Sequence, residues 1–348
     1  MNDTLLRPFY IAAAVVAIAC AACAGQSPAT IPSAYQSVPA ARTQARIPKP
    51  APTSTVFTSG ITPSSNPRGI ALGPFATTMW FTQPGSGQIG RITNGGVVKE
   101  FTATTNAVNN VVTGPDGNIW FTQGGYDGIG RMTQRGKVTI FATGNEAYGP
   151  FDICNGPDGN LWFTFRSPST NAIGRITPSG SVTLFTSGLS PGDVAVHDIV
   201  EGSDGNLWFT EEFGNRVGRI TTAGVITEFS NGISQQAGVS DITAGPDGNL
   251  WFSENSANKI GRINTAGIVT EFSQGISPQA GPGSMASAKG YVWFTEVGGS
   301  RLGRVNTSSG TITEYPIPVV LASDIAAAPN GSLWITDYNG NAVVKFTL

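Results

Sequence analysis

The residues of this 348-residue chain best suited to chemistry are one histidine and two sets of regularly spaced carboxylates. His197 is the only imidazole and stands one residue before Asp198. Asp152, Asp198, Asp241 and Asp324 recur at multiples of a forty-odd-residue period, and Glu211, Glu254, Glu296 and Asp337 follow the same period. Like charges brought together must be paired, protonated or bridged by a cation. A hard divalent ion with oxygen ligands, Mg²⁺ or alternatively Ca²⁺, is the natural bridge. Glu211, Glu254, Glu296 and Asp337 are therefore the candidate metal ligands. Asp152, Asp198, Asp241 and Asp324 are candidate substrate contacts, with Arg68 and Phe151 at positions equivalent to His197 in other repeats. His197, among carboxylates, is the candidate general base. Plainer readings stand beside these. Each aspartate can serve the fold by accepting backbone N–H groups, repeated because the fold repeats; each glutamate can be a solvated loop residue, and the histidine can lack a role.

The elements that position these residues follow from a repeat. All seven tryptophans, Trp80, Trp120, Trp162, Trp208, Trp251, Trp293 and Trp334, fall in one motif, at spacings of 40, 42, 46, 43, 42 and 41 residues. The clearest unit, Ser240 to Ser273, divides into four short strand candidates: Asp241–Ala244, Leu250–Glu254, Lys259–Asn264 and Ile268–Phe272. Pro-Asp-Gly-Asn and Asn-Thr-Ala-Gly turn signals separate them. Four antiparallel strands every forty-odd residues define a β-propeller blade, so the chain is expected to be all-β with seven blades. The last unit stops after its third strand. Residues 55–61 match the fourth-strand sequence of other units, so about 55–59 are expected to form the outer strand of the last blade, closing the ring. The repeated arginines of the third strands, Arg91 to Arg304, are expected to pair with Glu100, Glu228, Glu271 and Glu314 on the fourth.

In a propeller the innermost strand begins at the face where the second strand ends. Both carboxylate sets should then crowd the mouth of the central channel, up to eight acids in all, together with long loops such as Ser230 to Ser240 and Thr186 to His197. Long loops on a rigid scaffold are where binding sites concentrate, so the expected partner is a small molecule or peptide held at the mouth. The Pro-Asp-Gly-Asn turns lie on the opposite face and read as architectural.

Charged residues make up only 12% of the chain and the net charge is −2, so no basic field exists to hold nucleic acid. Three cysteines make no disulfide framework. Residues 1–24 read as an export signal: Arg7, a short apolar run, then small residues ending in Ala-Cys-Ala-Ala-Cys-Ala-Gly. Ordinary cleavage and lipidation at Cys23 or Cys20 are the alternatives, so the mature protein is expected to be exported, touching a membrane only through such an anchor. Residues 25–54 read as a Pro-, Ala- and Ser-rich linker, and 55–348 as the propeller, expected to be a monomer.

The phrases GPDGNLWFTE, NRVGRIT and ITEF resemble the streptogramin B lyase (virginiamycin B lyase) family of seven-bladed propellers across residues 55–348. The resemblance implies a carbon–oxygen lyase that opens a cyclic depsipeptide ester by elimination, with Mg²⁺ polarising the ester region and a histidine removing the proton alpha to the carbonyl. The family's inner strands often begin Pro-His-Gly-Ile. This chain has Val196-His197-Asp198-Ile199 once, and Pro67-Arg68-Gly69-Ile70 in the first unit. Two other readings remain open because one fold hosts many functions: a noncatalytic binding propeller, and a gluconolactonase-like hydrolase holding Ca²⁺.

Overall fold

The computed structural model describes residues 51–125, 127–144, 149–165, 171–192 and 195–348. The expected signal segment, Cys20, Cys23 and most of the linker lie outside the described residues. The rest forms seven four-stranded antiparallel sheets, the blades of a propeller. Thr53–Phe57, two residues earlier than the sequence suggests, lies beside Ala342–Thr347, with Thr53 opposite Thr347 and Phe57 opposite Val343.

Blade four shows why this sequence makes blades. Its strands are Val196–Glu201, Leu207–Glu211, Arg216–Ile220 and Ile226–Phe229, counted from the channel outward. Every residue of Leu207–Glu211 is buried, so this strand must be apolar on both faces. One face meets the preceding blade, where Leu207 and Phe209 pack with Trp162, and the other meets the next: Trp208 packs with Val239, Ile242, Leu250 and Phe252 of blade five. The tryptophan repeat is thus the core between blades.

The third-strand arginines correct one expectation. Arg219 lies opposite Thr227, while Glu228 lies opposite Gly218, so the two charges point to opposite faces of the sheet. Arg219 covers the stacked Trp208–Phe229 pair, with its guanidinium 5.5 Å from the Trp208 ring and 5.6 Å from Phe229, a cation–π arrangement. Gly218 is glycine because a Cβ there would fall 2.0 Å from Cζ of Phe209.

On the face opposite the mouth, Asp204 accepts hydrogen bonds from Trp208 Nε1 (3.1 Å) and Asn206 Nδ2 (2.8 Å). Asp116, Asp158 and Asp247 do the same in blades two, three and five. Burial works against these anions, but the donated hydrogen bonds prevail and hold all four carboxyls below their ordinary range. The turns are architectural, and their aspartates anchor the core tryptophans.

Candidate functional site at the channel mouth

The mouth is shaped by a defect repeated in the inner strands. In six of the seven the ladder slips near the start, between Val196 and Ile199 in blade four and between Pro150 and Ile153 in blade three. Such a bulge frees backbone groups and re-aims side chains. Phe151 and Asp152, and likewise His197 and Asp198, stand inside these slips and line a mouth cavity of about 180 Å³ together with Arg68, Asn109, Asn110, Asp241, Ser284 and Asp324.

The freed N–H groups have two kinds of acceptor. A second-strand threonine or serine takes one: Thr210 Oγ1 accepts from Asp198 N–H (3.1 Å) and donates to Ser240 O of the next blade (2.7 Å). Thr164 does the same with Asp152 N–H and His197 O. An aspartate of the preceding blade takes the other: Asp152 Oδ2 accepts from Ile199 N–H, Asp198 Oδ2 from Ile242 N–H, Asp241 Oδ1 from Met285 N–H and Asp324 Oδ2 from Ile70 N–H. These four aspartates therefore tie blade three to four, four to five, five to six and seven to one. Sequence reasoning foresaw N–H acceptance within a strand but not this bridging, because the slips carry no composition signal.

The hydroxyl ties give a direct test. Thr295 holds the same place in blade six, yet its buried oxygen has no partner. Thr210→Val is expected to cost about 1–3 kcal/mol in urea unfolding, the penalty for stranding buried polar groups. Thr295→Val is expected to be near neutral. Equal costs would remove the tie from the account.

Burial of the ring pushes the carboxyls of Asp198 and Asp241 well up, reinforced by neighbouring aspartates. Burial likewise raises Asp324, to about 6, against the hydrogen bonds from Ser284 and the Ile70 and Ile325 N–H groups. The charges of Asp152 and Asp241 on either side are what reinforce the upward shift of Asp198.

One side of the mouth differs. The His197 and Phe151 rings lie 4.6 Å apart at 54°, and the Arg68 guanidinium sits 4.8 Å from the Phe151 ring. Arg68 Nη1 donates to Asn109 Oδ1 at 2.9 Å. With Thr164 holding the His197 carbonyl at 2.8 Å, imidazole, aromatic face and guanidinium form one patch.

The expected metal ligands do not join it. Glu211 and Glu296 are fully buried within blades four and six, against Arg216 and Arg301. Glu254 is buried in blade five, with no donor reaching either carboxyl oxygen. Asp337 accepts the N–H groups of Val320, Leu321 and Gly340. None of the four lines the mouth cavity. Among the described residues no three His, Cys, Asp or Glu side chains come together in a way that would hold a metal ion. The convergence of eight acids is thereby corrected to a ring of four. The reason is local: the slip turns inner-strand side chains toward the channel, while the regular end of the second strand keeps its acids inside the blade. These residues do not fit an Mg²⁺ or Ca²⁺ site.

Seven tryptophan-cored blades around a polar mouth define a seven-bladed β-propeller. The chain belongs to the virginiamycin B lyase family, whose model matches residues 55–231 and 171–348. A streptogramin B lyase structure is 32% identical with TM-score 0.79, covering 85% of this chain and 98% of its own. Virginiamycin B lyase from Staphylococcus aureus is 32% identical with TM-score 0.77, covering 86% and 99%. A catalytically inactive histidine-to-alanine variant of that enzyme, solved with quinupristin, is 32% identical with TM-score 0.77, covering 86% and 100%. The curated proteins contain no match.

Proposed function

We propose that the chain is a carbon–oxygen lyase that opens an ester-linked cyclic peptide at the channel mouth by elimination, with His197 as the base. The observation that carries this reading is that the single histidine of the chain lines the mouth cavity, in a family where a histidine-to-alanine relative is catalytically inactive. His197 takes the proton from the carbon alpha to the carbonyl, and the released electron pair forms a carbon–carbon double bond. The adjacent carbon–oxygen bond breaks and the carboxylate leaves, so atoms and mass are conserved. Phe151 holds the imidazole face, Thr164 holds its backbone, and Arg68 supplies the fixed positive charge facing a leaving carboxylate. No step is assigned to a divalent ion held by Glu211, Glu254, Glu296 or Asp337. The export reading of residues 1–24 places this site outside the cytoplasm, and fractionation of tagged protein tests that.

A binding role without turnover is the second reading. The cavity of about 180 Å³ is below the roughly 300–1,000 Å³ usual for ligand sites, so a cyclic peptide would rest on the mouth with only one part inserted. Residues 50–348 incubated with a streptogramin B depsipeptide, with Mg²⁺ or EDTA, and followed by mass, separate the readings. The lyase reading expects a ring-opened product of unchanged mass. A product heavier by one water makes the protein a hydrolase, and binding without product makes it a receptor.

A further inference from the structure

The glutamates that do not fit a metal site are arranged for something else. Each ends the second strand of its blade, and in blades four and six it meets a fourth-strand glutamate across one shared cation. Arg216 Nη1 is 3.3 Å from Glu211 and 3.7 Å from Glu228, and Arg301 Nε is 2.8 Å from Glu296 and 3.3 Å from Glu314. In blade five Lys259 Nζ lies 2.6 Å from Glu271, with Glu254 opposite Lys259 in the ladder. The outer glutamate of each pair grips the loop entering its own blade. Glu228 accepts from Ser190 N–H and Oγ, Glu271 from Ser234, and Glu314 from Ser277.

Blade one holds the decisive comparison. There Glu100 grips Thr62 through its N–H and Oγ, both at 2.7 Å, and the inner position is Gln83, whose Nε2 donates to Glu100 Oε1 at 2.7 Å. The position therefore calls for a donor toward the outer carboxylate. An ionised glutamate cannot donate; a protonated one can. The buried oxygens left without partners agree: Gln83 Oε1, Glu211 Oε1, both oxygens of Glu254, and Glu296 Oε1. Stranding a charge there is far costlier than stranding a neutral carboxyl oxygen.

We propose that Glu211–Glu228, Glu254–Glu271 and Glu296–Glu314 each share one proton between two carboxyl groups, and that these pairs are pH-sensitive latches on the mouth loops of blades four, five and six. The charged groups that act on each inner carboxyl are Glu228 and Arg216, Glu271 and Lys259, or Glu314 and Arg301. The inner strand contributes Val196, Val239 or Pro282 opposite it, none charged. Burial first, then the partner carboxylate, raises Glu211 and Glu254 to about 8; burial raises Glu296 to about 7 against the Arg301 hydrogen bond. The Ser190 loop leads into the strand carrying His197, so losing the blade-four proton loosens the segment beside the proposed base. This holds whether or not the mouth catalyses anything.

Hydrogen exchange of the Ser190, Ser234, Ser277 and Thr62 amides at pH 6 and pH 9 tests the latches, with rates corrected for intrinsic base catalysis. The three serine amides are expected to lose about tenfold in protection, the equivalent of one pKa unit, while Thr62, held by the Gln83-backed carboxylate, stays constant. Glu254→Gln is then expected to make Ser234 pH-independent while leaving Ser190 and Ser277 as in the wild type. Four amides changing together, or Ser234 losing the same protection in Glu254→Gln, would overturn the proposal. The wild-type comparison with Thr62 stands even if the variant does not fold.

Discussion

His197→Ala is expected to lower turnover of an ester-linked cyclic peptide by about 10²–10⁴-fold, the range general-base catalysis supplies, with the propeller still folded. The fold should tolerate the change because the residue is only half-buried at the channel mouth, and the hydrogen bond its backbone carbonyl accepts from Thr164 does not involve the ring. Loss of the imidazole removes the group that accepts the proton; Arg68 cannot replace it, since a guanidinium does not deprotonate in proteins. Phe151→Leu is the milder companion. It keeps apolar bulk under Arg68 but removes the ring 4.6 Å from the imidazole, so a smaller fall in kcat with near-wild-type unfolding is expected. Full activity in His197→Ala would end the lyase mechanism described above, whatever the product.

The second large effect is on stability against pH. A group whose folded pKa lies above its unfolded value stabilises the fold fully below the unfolded pKa and loses that contribution as pH rises to the folded one. Glu211 and Glu254 move from 4.5 to about 8, Glu296 from 4.5 to about 7 and Asp324 from 3.8 to about 6, with Asp198 and Asp241 raised as well. The window of loss is therefore about pH 4 to 8. The turn aspartates, Glu271 and Glu314 have depressed values and act oppositely: their contribution is present above the unfolded pKa and disappears as pH falls through the folded one. The two trends place maximum stability near pH 4 to 5. Urea unfolding between pH 5 and pH 8.5 is expected to show a loss on the order of 5 kcal/mol, after discounting for relaxation and solvent screening. A large share should vanish in the Glu211→Gln, Glu254→Gln, Glu296→Gln triple variant. A flat profile across that window would mean that these carboxyls ionise freely.

How legible each feature was depends on whether its signal is local. The blades could be read because Trp-Phe-Thr strands and Gly-bearing turns are local patterns with a fixed period. The core role of the tryptophans follows from that period as well. The mouth aspartates could be placed on one face for the same reason, since topology alone sends every inner-strand start there. The third-strand arginines could not be assigned partners. A one-residue difference in register puts Arg219 and Glu228 on opposite faces, and register is a property of two strands together.

By itself, the sequence determined the all-β class, the number of blades, the family, and the approach of Arg68, Phe151, His197 and four aspartates to one mouth. Only the tertiary structure decided what the carboxylates do there. Inner-strand slips free N–H groups that bind Asp152, Asp198, Asp241 and Asp324 to the next blade, while regular pairing keeps Glu211, Glu254 and Glu296 inside their own blades. The physical reason is distance in the chain. Glu254 and Glu271, or Asp324 and Ile70, interact only after strands pair and the ring brings its ends together. The desolvation that raises these acids exists only once neighbouring blades have excluded water.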